Sequence, residues 1–336
     1  MPFSRRFFSA ATARAKPLSL HPSTKKNSRI GTLRVVGTDC RGIVAACTQV
    51  LGQYNCNIVK SEHWTDTQKR MFFQRLEFHH PNDDSVDHQA CEDELEERLR
   101  TIQFSQSFLS QSNLEPTFDA ATTQVQGFPL ECHWNWRDRR KRVGIMVSKY
   151  DHCLWELLLR HSANELDMDI DLVISNHDTL RHVPETFGIP FFVTPITPET
   201  KTEQERKQLE LLQNVDIVIL ARYMQVLSPI FLQHFPNRIL NIHHSFLPAF
   251  SGGSPYHKAY DRGVKLIGAT AHYVTEELDD GPIIEQDVMV VSHRDSVQKL
   301  KKKGRILERN VLHKALEAHL EDRVIVHENK CVVFGD

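Results

Sequence analysis

The spacing of apolar residues changes character near residue 140, which divides the chain into two halves of different design. In the first half, Thr32–Val36 is a short apolar run that predicts a strand. After the turn Asp39-Cys40-Arg41-Gly42, the residues Ile43, Val44, Cys47, Val50, Leu51 and Tyr54 recur at helical spacing. Asn57–Trp64 and Arg70–Phe78 predict two strands around the polar Thr65–Lys69 turn. An acidic amphipathic helix follows over about Val86–Ile102. Residues 105–128, rich in Ser, Gln and Thr and without periodicity, read as a loop or insertion, and Pro129–Trp136 supplies a closing strand. The order β-α-β-β-α-β predicts a ferredoxin-like unit over residues 31–137. Arg137–Arg142, almost entirely charged, reads as a solvated hinge.

Beyond the hinge, short buried-type strands alternate with helices. Arg142–Ser148, Ile170–Ser175, Phe191–Pro195, Val215–Ala221 and Ile239–Ile242 are the strands, with helices near 153–163, 200–213 and 228–234 between most of them. Such alternation predicts an α/β fold, a doubly wound and mostly parallel sheet, over residues 138–336. Leu266–Thr275 and Pro282–Val291 are further strands, a long helix covers about Asp295–Leu320, and a small hairpin joins Val324–Val326 to Cys331–Phe334.

Composition narrows the class. Hydrophobic residues at 40% and charged residues at 25% are those of a globular chain, and no apolar run is long enough to span a bilayer. The seven cysteines are odd in number, scattered and never spaced C-x-x-C, which argues against a disulfide frame or a structural zinc site. Residues 1–30 hold seven Lys or Arg and no acid, the composition of a transit peptide, and Arg6-Phe7-Phe8-Ser9 resembles a matrix-protease site. The mitochondrial matrix is the expected destination and the plastid the alternative. Without those seven cations the formal net charge moves from −2 to −9, which disfavours a nucleic-acid partner.

Several catalytic signatures are absent: no G-x-G-x-x-G follows the Arg142–Ser148 strand, and there is no Walker A loop, G-x-S-x-G elbow or H-E-x-x-H. Polar groups collect instead at the ends of two late strands. Asn241 and His243 stand two apart on an extended segment, so both project to the same side, where ligands of open α/β sheets bind. Glu276–Pro282 is an acidic loop between strands. An amide, an imidazole and a carboxylate brought together suffice to hydrolyse an amide. The carboxylate takes a proton from water, the amide and imidazolium hold the oxyanion, and the imidazole protonates the leaving nitrogen. From spacing alone, a strand-end Asn-x-His is more often turn chemistry, and an acidic loop is usually just solvated. A zinc site at His243, His244 and His272 is a further alternative, although adjacent strand residues point apart.

The motifs themselves resemble those of the formyltetrahydrofolate deformylases, a branch of the folate-dependent formyltransferases. The resemblance rests on Asn241-Ile242-His243-His244-Ser245-Phe246-Leu247-Pro248, Gly268–Thr275, Glu277-Leu278-Asp279-Asp280-Gly281-Pro282, Ala221–Ser228, the Ser148–Cys153 turn and the run from Lys303 to Phe334. It implies that Asn241, His243 and Asp279 are catalytic and that Met224, Gln225, Val226 and Leu227 contact the folate pterin, with His272 and Thr275 beside Asp279. It implies 10-formyltetrahydrofolate as substrate, no metal and no separate cofactor. Related glycinamide ribonucleotide transformylases carry a glycine-rich turn after the first strand to cradle a phosphate; here Lys149-Tyr150-Asp151-His152 fills that place, leaving water as the acceptor.

The N-terminal unit resembles an ACT domain, a module that commonly pairs and binds amino acids. This implies a homo-oligomer and an amino-acid effector near Asp39 and Gly42, where the family's Asp-x-Pro-Gly is here Asp39-Cys40-Arg41-Gly42. The rival expectations are formyl transfer to a small amine and a non-catalytic regulatory ACT protein. A tRNA formyltransferase is disfavoured by the acidic body and the short C-terminal hairpin.

Overall fold

The computed structural model describes residues 29–80, 87–112, 129–137, 139–249 and 255–335. The expected leader lies outside the described residues except for Arg29 and Ile30, which begin the first strand. The first unit runs β1 (Arg29–Thr38), α1 (Ile43–Gln53), β2 (Asn57–Asp66), β3 (Met71–His80), α2 (His88–Ser112) and β4 (Glu131–Arg137). Its four strands pair antiparallel in the order β2-β3-β1-β4, the ferredoxin-like arrangement. One face of this sheet, with Leu33, Val35, Leu76 and Phe78, packs on Ile43, Cys47, Val50 and Leu51 of α1 and Cys91, Leu95 and Leu99 of α2. All seven cysteines are free thiols, and Cys47, Cys56 and Cys91 are ordinary core.

The second unit runs β5 (Lys141–Val147), α3 (His152–Ser162), β6 (Met168–Ser175), α4 (His182–Thr186), β7 (Phe191–Val193), α5 (Lys201–Leu211), β8 (Ile217–Leu220), α6 (Pro229–His234), β9 (Ile239–His243), α7 (Pro255–Arg262), β10 (Leu266–Tyr273), β11 (Ile283–Val290) and α8 (Val297–Leu320). The hairpin β12 (Val324–His327) and β13 (Lys330–Val333) closes the chain. The seven-stranded sheet has the order β11-β10-β9-β8-β5-β6-β7; β5 to β9 are parallel, and β10 and β11 turn antiparallel at one edge. Alternation along β5 assigns its faces: Val143, Ile145 and Val147 join α3 and α8, while Met146 joins Leu212, Phe231 and Phe235 on the other side.

Two expectations are corrected, and one helix is added. The acidic helix α2 continues through Ser112, so 105–112 is helix and only 113–128 lies outside the described residues. Ser, Gln, Phe and Leu there include no Gly or Pro, and nothing in that run stops a helix. Helix α7 starts at Pro255, and its proline sits at a helix start, where a missing N–H costs nothing. The hinge is not a solvated one. Arg137 donates to Glu321 O at 2.8 Å, Lys141 to His319 O at 2.8 Å and to Asp322 Oδ1 at 2.7 Å, and Arg139 pairs with Asp216. Arg75, 1% exposed on β3, adds bonds to Glu321 O and Asp322 O. Arg137, Lys141 and Arg75 sit on the C-terminal end of α8, where the helix carbonyls and dipole favour positive charge. The apolar residues Val36, Met71 and Phe73 complete the contact against Ile325 and Phe334.

Candidate active site

Strand β9 lies inside the sheet between β8 and β10, and its C-terminal end delivers Asn241 and His243 to one side while Ile242 points into the core. The loop after β10 returns over this end. Its Asp279 has a left-handed backbone, φ 59°, which carboxamide and carboxylate residues tolerate better than most. Gly281 permits the return, because a Cβ there would collide with the Tyr273 carbonyl, and Tyr273 N–H donates to Pro282 O at 2.9 Å. The consequence is a contact of 3.2 Å between His243 Nδ1 and Asp279 Oδ1. That hydrogen bond holds the Asp279 carboxyl below its ordinary range. With Nδ1–H donated to Asp279, the other ring nitrogen, Nε2, is buried and has no partner among the described residues.

Asn241 is oriented by a residue from the neighbouring strand. His272 Nδ1 lies 2.9 Å from the Tyr273 carbonyl, which can only accept, so Nδ1 carries the proton and Nε2 accepts from Asn241 Nδ2 at 3.1 Å. Burial lowers the His272 pKa and so keeps the ring neutral. One Asn241 N–H is thereby spent and the second is left for a ligand.

These groups line a cavity of about 490 Å³. Met224, Val226 and Leu278, 54%, 58% and 68% exposed, give it an open apolar wall, and Gln225 and Leu227 lie on the same loop. The loop is pinned at three points. Met224 N–H donates to Ser148 Oγ at 3.0 Å, Tyr223 Oη accepts from Gln208, and Ser228 N–H donates to Glu205 Oε1 at 3.1 Å. Between these pins, the backbone groups of Gln225–Leu227 have no hydrogen-bond partner among the described residues. Thr275 also lines the cavity, its hydroxyl donating to Glu277 O at 3.1 Å. All nine expected catalytic and folate-contact residues therefore face one cavity. Asp39 and Gly42 lie elsewhere, in the turn after β1, where Gly42 takes φ 96°.

Sequence reasoning gave no role to Ser148, Glu205 and Gln208, which hold the loop, or to Glu308, Tyr256 and Arg222, which share the cavity. The visible signal was weak: isolated polar positions on otherwise regular strands and helices. His152, Cys153 and Glu308 bring ligand atoms within 4.8 Å of one another. Arg222 Nε stands 3.3 Å from Glu308, and burial pushes the Cys153 thiol up, so the group already holds a cation and lacks a thiolate. The alternative of three histidines on zinc also fails geometrically. His243 turns to Asp279, His244 packs against Tyr256 at 5.9 Å, and His272 is spent on Asn241 and Tyr273.

Residues 141–316 match the formyl transferase family model, which covers β5 to most of α8. The chain is 44% identical over 312 residues to a formyltetrahydrofolate deformylase of Bacillus subtilis, covering 92% of this chain and 95% of that one. The chain belongs to the formyltetrahydrofolate deformylase family. The crystal structure of a family member from Pseudomonas syringae superposes with a TM-score of 0.76 at 40% identity, covering 92% of this chain and 96% of that one. A glycinamide ribonucleotide transformylase from Symbiobacterium toebii matches only 60% of this chain but 97% of its own, at 29% identity and a TM-score of 0.56. Among the described residues no helix is long and apolar enough to cross a membrane.

Proposed function

We propose that this enzyme hydrolyses 10-formyltetrahydrofolate to tetrahydrofolate and formate, with Asn241, His243 and Asp279 as its catalytic groups. The carrying observation is the buried, unpartnered Nε2 of His243, set between an amide with a spare N–H and a carboxylate held ionised. Water adds to the formyl carbon as its proton passes to Nε2 of His243, and the Asp279 carboxylate on Nδ1 stabilises the imidazolium so formed. The developing oxyanion is held by the Asn241 N–H and by His243 protonated at Nε2. Collapse breaks the C–N10 bond, and His243 passes its proton to the departing nitrogen, leaving formate. The pterin lies on the Met224–Leu227 loop, whose unpaired backbone groups suit the edge of a heterocycle, with His272 and Thr275 closing the Asp279 side. No metal or further cofactor has a part in this scheme.

Three finer assignments belong to the same reading. The N-terminal unit is an ACT domain over residues 31–137, ahead of a catalytic domain over 138–336; its strand order and the Gly42 turn support this. An amino-acid effector at Asp39 and Gly42 and a homo-oligomer paired through this unit follow from that assignment. Residues 1–30 are a leader for the mitochondrial matrix, or for the plastid. Only their composition supports this, since the relatives named above are bacterial. Incubating the purified protein with 10-formyltetrahydrofolate and no amine tests the activity: formate is expected, and a strict need for an amine would favour transfer.

A further inference from the structure

The catalytic cavity contains a buried ion cluster that the hydrolytic scheme does not use. Three elements converge on Glu308 of α8, which is only 2% exposed. His152, at the start of α3, places Nε2 at 2.8 Å from one carboxylate oxygen, and Tyr256 of α7 donates its hydroxyl to the other at 2.7 Å. Arg222, from the turn after β8, brings Nε to 3.3 Å and lays its guanidinium over the Tyr150 ring at 5.2 Å. Burial alone would raise the Glu308 pKa, but these donors and the Arg222 charge hold it down to about 2.

The fold concedes a good deal to this cluster. Arg222 has φ 65°, a backbone region costly for a long side chain. Gly304 lies within α8 one turn before Glu308, a residue type unfavourable in a helix interior, and any Cβ there would collide with the Tyr256 hydroxyl. Burying an arginine and a glutamate also carries a desolvation cost that a purely apolar filling avoids. The cluster lies one ring from the reacting groups, since His244 packs on His243 at 5.1 Å and on Tyr256 at 5.9 Å. Glu308, Arg222, Tyr256 and His152 line the same cavity as Asn241, His243 and Asp279.

We propose that the Glu308–Arg222–Tyr256–His152 cluster is an acceptor plug, which fills the space beside His243 that any nucleophile larger than water must occupy. This rests on the hydrolase reading above. Charge pairing suits the task. An amine would have to displace two donors, His152 and Tyr256, and break the Arg222 ion pair to gain that carboxylate, and an anionic acceptor meets an Arg222 already paired. Shape acts together with charge, because the Arg222 side chain and the tyrosine rings occupy the volume.

The test is the partition of the formyl group between water and an amine. Capture forms a bond from the amine nitrogen to the formyl carbon and breaks the C–N10 bond. The surplus amine proton goes to N10, giving a formylated amine and tetrahydrofolate. Each protein is incubated with 10-formyltetrahydrofolate and excess hydroxylamine or glycinamide, and formate and formylated amine are quantified by mass spectrometry. Wild type is expected to give formate with at most a trace of formylglycinamide. Arg222→Gly, whose backbone suits glycine, is expected to raise the formylglycinamide share at least about tenfold. The double variant Arg222→Gly/Glu308→Ala removes both charges, so no orphaned ion is left, and is expected to do the same. A folded variant, judged by thermal unfolding, with an unchanged product ratio would overturn the plug. So would a wild-type enzyme that captures glycinamide as readily as the smaller hydroxylamine. A wild type that makes no formate without an amine would instead overturn the hydrolase reading itself.

Discussion

Asn241, His243 and Asp279 differ in what fixes them, and that decides what each substitution removes. Asp279→Asn removes the negative charge that faces the His243 Nδ1 proton, and His243→Ala removes the unpartnered Nε2. Each is expected to slow formate release at least about a hundredfold, measured as kcat, with little change in folate binding. Asn241→Ala should cost a similar factor through the oxyanion. Near-native turnover in any of the three contradicts its role. The Asn-x-His spacing made the first two legible, because a strand's two-residue period puts both on one side. The contact with Asp279 was not, since it depends on a left-handed residue and on Gly281 approaching the Tyr273 carbonyl. Nor was the use of His272 to hold the Asn241 amide, which depends on the β9–β10 register pairing His272 with Asn241.

Among the elements, α8 carries the most consequences: one face enters the catalytic cavity and its C-terminal end receives the first sheet. Glu308 has a folded pKa of about 2 against an ordinary 4.5, so it stabilises the protein above 4.5 and loses that contribution as pH falls through 2. The depression corresponds to roughly 3 kcal/mol. Glu308→Gln is expected to flatten the urea-unfolding stability profile across that acid window; an unchanged slope would contradict the assignment. At the other end, Asp322 is 4% exposed and joins Lys141, Asn135 and Arg137. Asp322→Ala should cost about 3 kcal/mol in the same assay, because the buried lysine loses its counter-charge. A loss within experimental error would mean that the first unit does not depend on this contact. The strands and most helices were legible from period alone. The run Arg137–Arg142 misled because its charge reads as solvation, while its partners lie far along the chain. Helix α2 was cut short because serine and glutamine look like loop when no apolar stripe marks a face.

At the scale of the whole molecule, residues 1–30 carry seven Lys or Arg and no acid, and the remaining residues have a formal net charge of −9. Fusing residues 1–30 to a cytosolic reporter is expected to send it to mitochondria, and replacing Arg5, Arg6 and Arg14 by Glu should abolish that. A reporter that stays in the cytosol contradicts the leader. The two-unit plan was readable because the apolar period changes near residue 140; the tight docking of the units was not, since paired charges leave no periodic trace. The account turns on water as the acceptor, and product analysis of the acceptor-free reaction tests that most directly. Purified protein, 10-formyltetrahydrofolate and buffer lacking any amine should give formate and tetrahydrofolate in equal amounts over many turnovers. Turnover that appears only when an amine is added, with the formyl group recovered on that amine, would contradict it.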